Sequence, residues 1–440
     1  MSRTTAQAGW TAVLLAVLLG PVLLWLPRAE PMGLWRQLSI ITGLLALSAL
    51  ICTAALPSRM RSLTRAFGIE NVIGIHRYLG VLTAVLIATH LAFVIAADPA
   101  KIALLNIFTA PPRAQAATAA SLALAALVPL TARRERLGLP YETWRWLHLV
   151  LATAVLGFSA LHVWWLEHLV LDGVIGPVLV LLGMLLLGVF TMRWVWRSML
   201  DPASEFLVRE VRPENPSIST LVLEPRRRAG TAPALQFAPG QFAWLRLERT
   251  AAEEHPFTIA SGAHQHQSVE FTIRHAGDFT EQIRALQPGS SVWVDGPYGS
   301  FTADFVTSSG LVLIAGGVGV TPMMSMMRTL AHRRDRRPHK FIVVAGTPAD
   351  LLFRSELAEM RRKIDLEVIE VLRRPPAGWE GETGGIDGAL LATVLPGDFR
   401  RDHLDYFICG PPSLVESALD ALDALGVPAE RIHTELFGMV

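Results

Sequence analysis

The sequence predicts a multidomain chain, in which a six-helix transmembrane bundle precedes an antiparallel β-barrel domain and then an α/β domain. Six apolar runs, each about 20 residues long and so long enough to cross a bilayer, occupy the first 200 residues. Short alternating runs separated by Pro and Gly begin at Phe206, and apolar strands alternate with helical patterns from Gly310. We therefore place the three domains at 1–200, 201–307 and 308–440.

The charge distribution separates the first domain from the other two. The chain has 440 residues, is 51% hydrophobic and 18% charged, and has a net charge of +1. Residues 1–200 contain 15 Lys/Arg and 7 Asp/Glu, which leaves 24 and 31 for the remainder, so the two parts carry +8 and −7. This division excludes one homogeneous globule. It also argues against a nucleic-acid-binding protein, because the positive charge is not gathered in one soluble patch.

The apolar runs define six candidate spans. Their bounds are 10–26, 38–56, 72–97, 114–131, 144–166 and 174–195. The first is interpreted as a helix and not a signal peptide, because no small-residue cleavage site follows it and five further spans do. Arginines cluster at 59–65, 133–136 and 193–197, so the positive-inside rule places both termini and the acidic half in the cytoplasm.

Four histidines lie within the spans at a repeated spacing. His76 and His90 on the third span, and His148 and His162 on the fifth, are each 14 residues apart. This spacing puts each pair on one helix face, about 21 Å apart along the axis. Since the two spans run in the same direction, His76 would lie level with His148 and His90 level with His162, and this predicts two iron porphyrins, each held by two imidazoles. The alternative is that these histidines only form hydrogen bonds between helices. The two cysteines, Cys52 and Cys409, are too few for a disulfide framework or a Cys-built metal site.

The α/β domain opens on a glycine-rich turn. The strand "LVLIA" runs into Gly316-Gly317-Val318-Gly319-Val320-Thr321-Pro322. With Thr321 as a helix cap and Pro322 at the first helical position, this turn would present backbone N–H groups to a phosphate. The alternative is a tight strand-to-helix turn without a ligand. The runs "FVTSSG", "FIVVAG" and "YFICG" predict buried strands.

Several motifs in the second half carry a family resemblance. "HPFTIAS", "IRHAGDFT", "DGPYGSF", "GGVGVTP" and "CGPP" occur in the order typical of a ferredoxin–NADP reductase-type module. Preceded by six spans with paired histidines, the chain resembles the ferric reductase and NADPH oxidase superfamily, and especially bacterial single-chain NADPH oxidases. The resemblance implies FAD, two b-type haems and NADPH (or NADH) as cofactors. It also implies a multi-pass protein of the bacterial inner membrane.

The resemblance also implies residue roles. The flavin ring and ribityl chain would contact His255, Pro256, Phe257 and Thr258. The flavin pyrophosphate would lie at Arg274, Gly277, Asp278 and Thr280. The nicotinamide dinucleotide would contact Gly317, Gly319, Val320, Thr321 and Pro322, with Cys409, Gly410 and Pro411 flanking the nicotinamide.

Two departures from the family pattern bear on the cofactors. Phe437 is the candidate for the aromatic residue that covers the flavin, but three residues follow it. Relatives often place an Arg for the NADPH 2′-phosphate where this chain has Gly346. Arg373 and Arg374 are the nearest remaining candidates, or else part of a solvated loop, so NADPH is favoured over NADH only modestly.

The expected activity is electron transfer from NAD(P)H through flavin and two haems to an external acceptor. Dioxygen, reduced to superoxide at the haem edge, is the favoured acceptor. The outer loops are too short to offer much surface to a protein partner, and they lack the Cys- or Met-rich segments that would indicate metal handling. Arg36 at the outer end of span two would stabilise the developing anion, or else is simply an interfacial arginine. A ferric-chelate or quinone-linked reductase, and a relay subunit reducing a periplasmic protein, are the alternatives. The expected partners are membrane lipid and a small-molecule acceptor, with no nucleic acid and no obligatory protein.

Overall fold

The computed structural model describes residues 3–134, 136–201, 204–226, 235–251, 253–265, 267–397 and 401–436. The chain folds into two compact units, Met1–Trp196 and Arg197–Val440. Phe437 lies outside the described residues.

The first unit is helical. Its helices are α1 Arg3–Trp25, α2 Leu34–Ala55, α3 Arg61–Phe67, α4 Ile69–Ala97, α5 Pro112–Ala132, α6 Tyr141–Trp164, α7 Glu167–Val170 and α8 Ile175–Phe190, which continues as a π-helix over Thr191–Leu200. Within the described part of the chain, six helices are long and apolar enough to cross a membrane, which confirms the six predicted spans.

Two helix pairs organise this unit. α2 packs along α4, and α5 packs along α6. A small apolar core of Leu50, Leu124 and Val155 joins α2, α5 and α6. Gly68 separates α3 from α4 with a φ of 82°, a left-handed value that glycine adopts without a steric penalty. The pairing therefore brings each histidine-bearing helix against a neighbour that carries no histidine.

The second unit begins with an antiparallel barrel. Its strands are β1 Glu205–Asn215, β2 Ile218–Pro225, β3 Phe242–Arg246, β4 His255–Thr258, β5 Val269–Arg274 and β6 Ser291–Tyr298. They are ordered β4-β3-β6-β1-β2-β5, and a bridge between Ile259 and Phe271 joins the two ends. Helix α9, Asp278–Arg284, buries Phe279 and Ile283 in the barrel core.

A parallel sheet with helices on both faces follows. Its elements are β7 Gly310–Gly316, α10 Val320–Arg333, β8 His339–Ala345, α11 Arg354–Met360, β9 Leu366–Leu372, β10 Glu382–Thr383, α12 Gly388–Val394, β11 Leu404–Gly410, α13 Pro412–Ala424 and β12 Ile432–Leu436. The strand order is β10-β9-β8-β7-β11-β12. The chain reverses its direction of winding between β7 and β11, the position at which open α/β sheets bind ligands beyond the carboxyl ends of their strands.

Two local predictions are wrong. "FVTSSG" is not a strand, because a 3-10 turn over Ala303–Phe305 is capped by the Thr302 hydroxyl and β7 begins only at Gly310. Thr321 does not cap α10, which begins at Val320, two residues before the predicted start at Pro322, after a 3-10 turn over Gly317–Gly319. The fold class is confirmed: a six-span membrane domain, an antiparallel barrel and a parallel α/β domain.

Candidate functional site

The membrane histidines lie on two helices and meet in pairs. His76 and His90 are on α4, and His148 and His162 are on α6. The ring centroids of His76 and His148 are 6.2 Å apart, with 53° between the ring planes. His90 and His162 are close enough for their charges to interact. The structure therefore pairs the rings in the combinations that the 14-residue spacing predicts.

Each imidazole has its Nδ1 atom held by the neighbouring helix. Three rings face backbone carbonyls, namely His76 with Thr53 at 2.8 Å, His90 with Ser39 at 2.6 Å and His162 with Arg113 at 2.8 Å. A carbonyl only accepts hydrogen bonds, so Nδ1 donates and Nε2 keeps its lone pair for a metal. The fourth ring, His148, lies with Nδ1 3.1 Å from the Thr131 hydroxyl.

This arrangement fits a metal ion between two imidazoles. A metal–imidazole bond of about 2 Å on each side of an ion puts the ring centroids roughly 6 Å apart, close to the separation of His76 and His148. Among the described residues, no group of three or more His, Cys, Asp or Glu could hold a metal ion. Each pair thus offers two ligands, and a planar four-nitrogen macrocycle would complete the coordination.

Gly43 on α2 is a contributor that sequence reasoning missed. A Cβ atom there would lie 3.0 Å from both Nδ1 and Cε1 of His90. Glycine therefore lets the His90 ring approach α2 closely enough to reach the Ser39 carbonyl. The available signal was a glycine in the middle of an apolar span, one helical turn after Ser39.

The predicted flavin-contacting residues lie on β4 and around α9. His255, Pro256 and Phe257 are partly exposed on β4, whereas Thr258 is buried. The Phe279 ring supports this strand, since its centroid is 4.4 Å from that of His255 and 6.1 Å from that of Phe257. His255 and Phe257 therefore form a partly exposed aromatic face of β4 against Phe279, and Pro256 projects from the opposite face.

The second predicted flavin segment forms the turn between β5 and α9. Arg274 ends β5 with an exposed side chain, and Asp278 begins α9. The Thr280 hydroxyl accepts hydrogen bonds from the backbone N–H groups of Ala276 and Gly277 and donates to the Gly277 carbonyl. Thr280 thus shapes the turn from within, and its contact with a flavin pyrophosphate stays a prediction.

The glycine-rich turn and the "CGPP" segment meet at the carboxyl ends of β7 and β11. A Cβ atom on Gly319 would lie 2.3 Å from the Cys409 carbonyl oxygen, so only glycine permits this approach. Gly317 has a φ of 57° and open space where a side chain would project. The exposed residues Gly317 and Pro411 border this edge. Backbone packing alone thus brings the two predicted nicotinamide motifs together.

Three other predicted dinucleotide contacts lie beneath this surface. Val320, Thr321 and Pro322 are buried in the first turn of α10. The Thr321 hydroxyl donates to the Val318 carbonyl at 2.6 Å, which stabilises the turn that presents Gly317. Their direct contact with a dinucleotide stays a prediction.

Cys409 and Glu435 form a buried pair near the carboxyl ends of β11 and β12. They face each other across β11 and β12, and both are buried. Burial raises the pKa of the Cys409 thiol well above its ordinary value, and the Glu435 carboxylate adds to the increase. The thiol is therefore protonated at neutral pH. Sequence reasoning missed Glu435, because β12 reads "IHTEL" and a carboxylate in so polar a strand gives no signal of burial.

The candidate 2′-phosphate residues lie at the ends of β8 and β9. Arg373 and Arg374 follow β9 with exposed side chains, and their backbone N–H groups donate to the carbonyls of Ala345 and Gly346. A Cβ atom on Gly346 would lie 3.1 Å from an Arg374 guanidinium nitrogen and 2.9 Å from an Asp350 carboxylate oxygen. The missing side chain at Gly346 therefore leaves room for the Arg374 guanidinium beside it.

Arg36 is exposed at the start of α2 and lies three residues before Ser39, whose carbonyl faces His90. Its carbonyl accepts a hydrogen bond from the Ser39 hydroxyl at 2.8 Å. A role for its guanidinium in anion stabilisation stays a prediction.

Three protein-family models match successive parts of the chain. Residues 42–159 match the ferric reductase like transmembrane component, residues 220–302 an FAD-binding domain, and residues 313–420 the oxidoreductase NAD-binding domain. The matches assign FAD and NAD(P)H binding to the second unit and a membrane domain to the first. The chain is accordingly an oxidoreductase with a multi-pass membrane domain.

Individual relatives match the second unit. The reductase component of propane 2-monooxygenase from Mycolicibacterium smegmatis is 31% identical over 235 residues, which are 52% of this chain and 66% of that protein. The gamma subunit of sulfhydrogenase 1 from Pyrococcus furiosus is 31% identical over 205 residues, 46% of this chain and 68% of that protein. The chain thus spans about two thirds of the length of these relatives.

Among solved structures, the FAD/NAD-binding domain of nitric oxide dioxygenase from Vibrio cholerae is similar, with a TM-score of 0.47 and 23% identity. The similarity covers 53% of this chain and 98% of that one.

Proposed function

Because the chain belongs to the ferric reductase and NADPH oxidase superfamily, with a dehydrogenase module of ferredoxin–NADP reductase type, we propose that it carries electrons across a bacterial inner membrane. The donor is cytoplasmic NADPH or NADH. FAD and two b-type haems connect it to an acceptor on the outer face. The acceptor we propose is dioxygen, which a single electron converts to superoxide.

One observation carries this proposal. All four membrane histidines have Nδ1 in a hydrogen bond to the adjacent helix, three to backbone carbonyls and His148 to the Thr131 hydroxyl, and they meet in two pairs at two levels of the bundle. Histidines that only linked two helices would not need to leave Nε2 free for a metal, yet the three rings that donate from Nδ1 to a carbonyl all do so. Metal-ligating histidines characteristically donate their other N–H to an acceptor of this kind. The arrangement therefore supports His76 with His148, and His90 with His162, as the residues that would hold the two haems.

The residues divide the chemistry between the two units. When bound, NAD(P)H supplies an electron pair as hydride, flavin accepts the pair and releases electrons singly, and haem accepts one electron at a time. Gly317 leaves the backbone of the nucleotide turn accessible to a phosphate, and Gly319 lets that turn pack closely on Cys409. The partly exposed face of β4 with His255 and Phe257 offers a platform for the flavin ring. Cys409 provides a neutral, buried thiol beneath the nicotinamide edge.

Arg374 supports NADPH over NADH. Its guanidinium lies beside the space left by Gly346, at the carboxyl edge of the sheet, where a 2′-phosphate would meet a positive charge. Arg373 is adjacent and exposed, so two cations face solvent there. Asp350, which also lies beside Gly346, is the group that would instead accept a hydrogen bond from a ribose hydroxyl of NADH.

The test uses the purified chain supplied with FAD, haem and either pyridine nucleotide. We expect a bis-imidazole haem spectrum and reduction of cytochrome c that superoxide dismutase suppresses. Replacing His90 or His162 with Ala should remove one haem and abolish superoxide formation. A two-haem spectrum that persists in those variants would reject the ligand assignment. If superoxide dismutase does not suppress the reduction of cytochrome c, the acceptor is not dioxygen but a ferric chelate or a protein that the chain reduces directly.

A further inference from the structure

The hydrogen bond to His148 differs in kind from those to the other three histidines. The partner of Nδ1 here is the Thr131 hydroxyl on the last turn of α5, 3.1 Å away, whereas the partners of the other three rings are backbone carbonyls. Several membrane threonines donate their hydroxyl to the carbonyl four residues earlier, including Thr53, Thr83 and Thr89. Such back-bonding is the usual arrangement for threonine inside a helix. Thr131 instead reaches across to α6.

A hydroxyl group leaves the direction of this bond open. It can accept from a protonated Nδ1, or donate to the lone pair of an unprotonated one. In the second case the ring proton would lie on Nε2, and the ring could not bind a metal through that atom. Ligation through Nε2 therefore requires the Thr131 oxygen to act as the acceptor.

We propose that Thr131 is a positioning residue for His148, which holds the metal-binding tautomer and sets the reduction potential of the haem at the His76–His148 pair. The inference rests on the proposed function. An acceptor at Nδ1 makes imidazole more electron-donating, and this favours the oxidised metal. Removing the acceptor should therefore raise the reduction potential of this haem and leave the haem at His90 and His162 unchanged.

The chain supplies a matched control at the same level. Thr53 holds His76 through its backbone carbonyl, while its hydroxyl donates to the Ala49 carbonyl within α2. T53V thus removes the same atoms as T131V from the same histidine pair but leaves the imidazole acceptor in place. T131S retains the hydroxyl and removes only the methyl group.

The experiment is an optical redox titration of the purified full-length, haem-loaded protein, with haem content measured by the pyridine haemochrome. We expect T131V to change the reduced-to-oxidised ratio of one haem about tenfold at fixed potential, a positive shift of about 59 mV for one electron. T131S and T53V should titrate like the wild type. The low-spin ferric EPR signal of the same haem should change in T131V only, because that signal depends on the orientation of the two ring planes.

Each outcome decides the proposal. Loss of one haem in T131V but not in T131S would also support positioning by the hydroxyl. Unchanged potentials in T131V, an equal shift in T53V, or a T131S variant that behaves like T131V would overturn it. A wild-type protein without two bis-imidazole haems would instead reject the proposed function, so the two failures are distinguishable.

Discussion

The strongest stability prediction concerns Arg328, which joins the barrel to the α/β domain. This residue of α10 donates to Glu356 of α11 at 2.7 and 2.8 Å, to Glu270 of β5 at 2.9 Å and to the Ala260 carbonyl at 2.9 Å. Its side chain is 9% exposed. Burial lowers the pKa of Arg328, but the hydrogen bonds and charges of Glu356 and Glu270 outweigh burial and raise it, so the guanidinium remains charged.

Replacing Arg328 with Ala removes the cation from Glu356 and leaves Glu270 with only the more distant Arg212, 3.9 Å away. Removing one partner of a buried ion pair destabilises a protein by about 3–5 kcal/mol. The Glu356 side chain is 33% exposed and can be hydrated, so we expect a loss near the lower limit, about 3 kcal/mol. For a unit of this size each kcal/mol lowers the melting temperature by about 2–4 °C, which gives a decrease of roughly 6–12 °C.

The assay is thermal release of FAD, followed by the rise in flavin fluorescence at a fixed scan rate. This readout reports on the second unit, whereas circular dichroism would be dominated by the membrane helices. Arg333→Ala is the matched control, because it removes an arginine from the same helix whose partner Asp304 is at the surface. An exposed pair contributes about 0.2–1 kcal/mol, so that variant should lose at most about 4 °C. Equal decreases in both variants would refute the argument from burial.

Three further predictions follow from the site. Arg374→Ala should raise the KM for NADPH about tenfold or more and leave the KM for NADH unchanged, since a charge-assisted hydrogen bond contributes about 1.5–3 kcal/mol; equal effects in steady-state assays would exclude Arg374 from the phosphate site. The Cys409 thiol, whose pKa burial raises, should resist iodoacetamide between pH 7 and about 9 in native protein and react after unfolding; rapid labelling of the native protein would contradict its burial. Gly43→Ala should displace the His90 ring and lower haem content from two to one, whereas Gly183→Ala, where a Cβ meets open space, should retain both haems in the pyridine haemochrome assay.

Sequence patterns were sufficient for the elements that repeat a simple period. The six spans follow from hydropathy, and the pairing of His76 with His148 follows from helical geometry and parallel direction. The end of β7 was also predictable, because apolar strand residues run directly into a glycine-rich turn. In each case the sequence contains the complete physical cause of the structure.

The supporting contacts were not predictable, because they depend on which helices become neighbours. A backbone carbonyl has no signature in the sequence, so nothing marked Ser39, Thr53 or Arg113 as holding a histidine. The prediction of the helix start near Gly319 was wrong for a related reason. A threonine before a proline is a common helix start, but close contact of Gly319 with the Cys409 backbone starts the helix two residues earlier, and the Thr321 hydroxyl then donates to the Val318 carbonyl.

Both units place their chemistry-bearing groups through backbone atoms, and this determines which substitutions matter. Where a backbone carbonyl accepts a hydrogen bond from an imidazole, as at Ser39 and Arg113, a change of side chain preserves the acceptor. Such a change should be tolerated as long as it does not disturb the helix. Where two backbones or a ring and a backbone touch, as at Gly319 and Gly43, even one methyl group requires a displacement. Substitutions that add a side chain at these glycines should therefore damage the protein more than substitutions that remove a polar side chain from a neighbouring residue. Thr131 is the informative exception, because there the acceptor itself is a side chain.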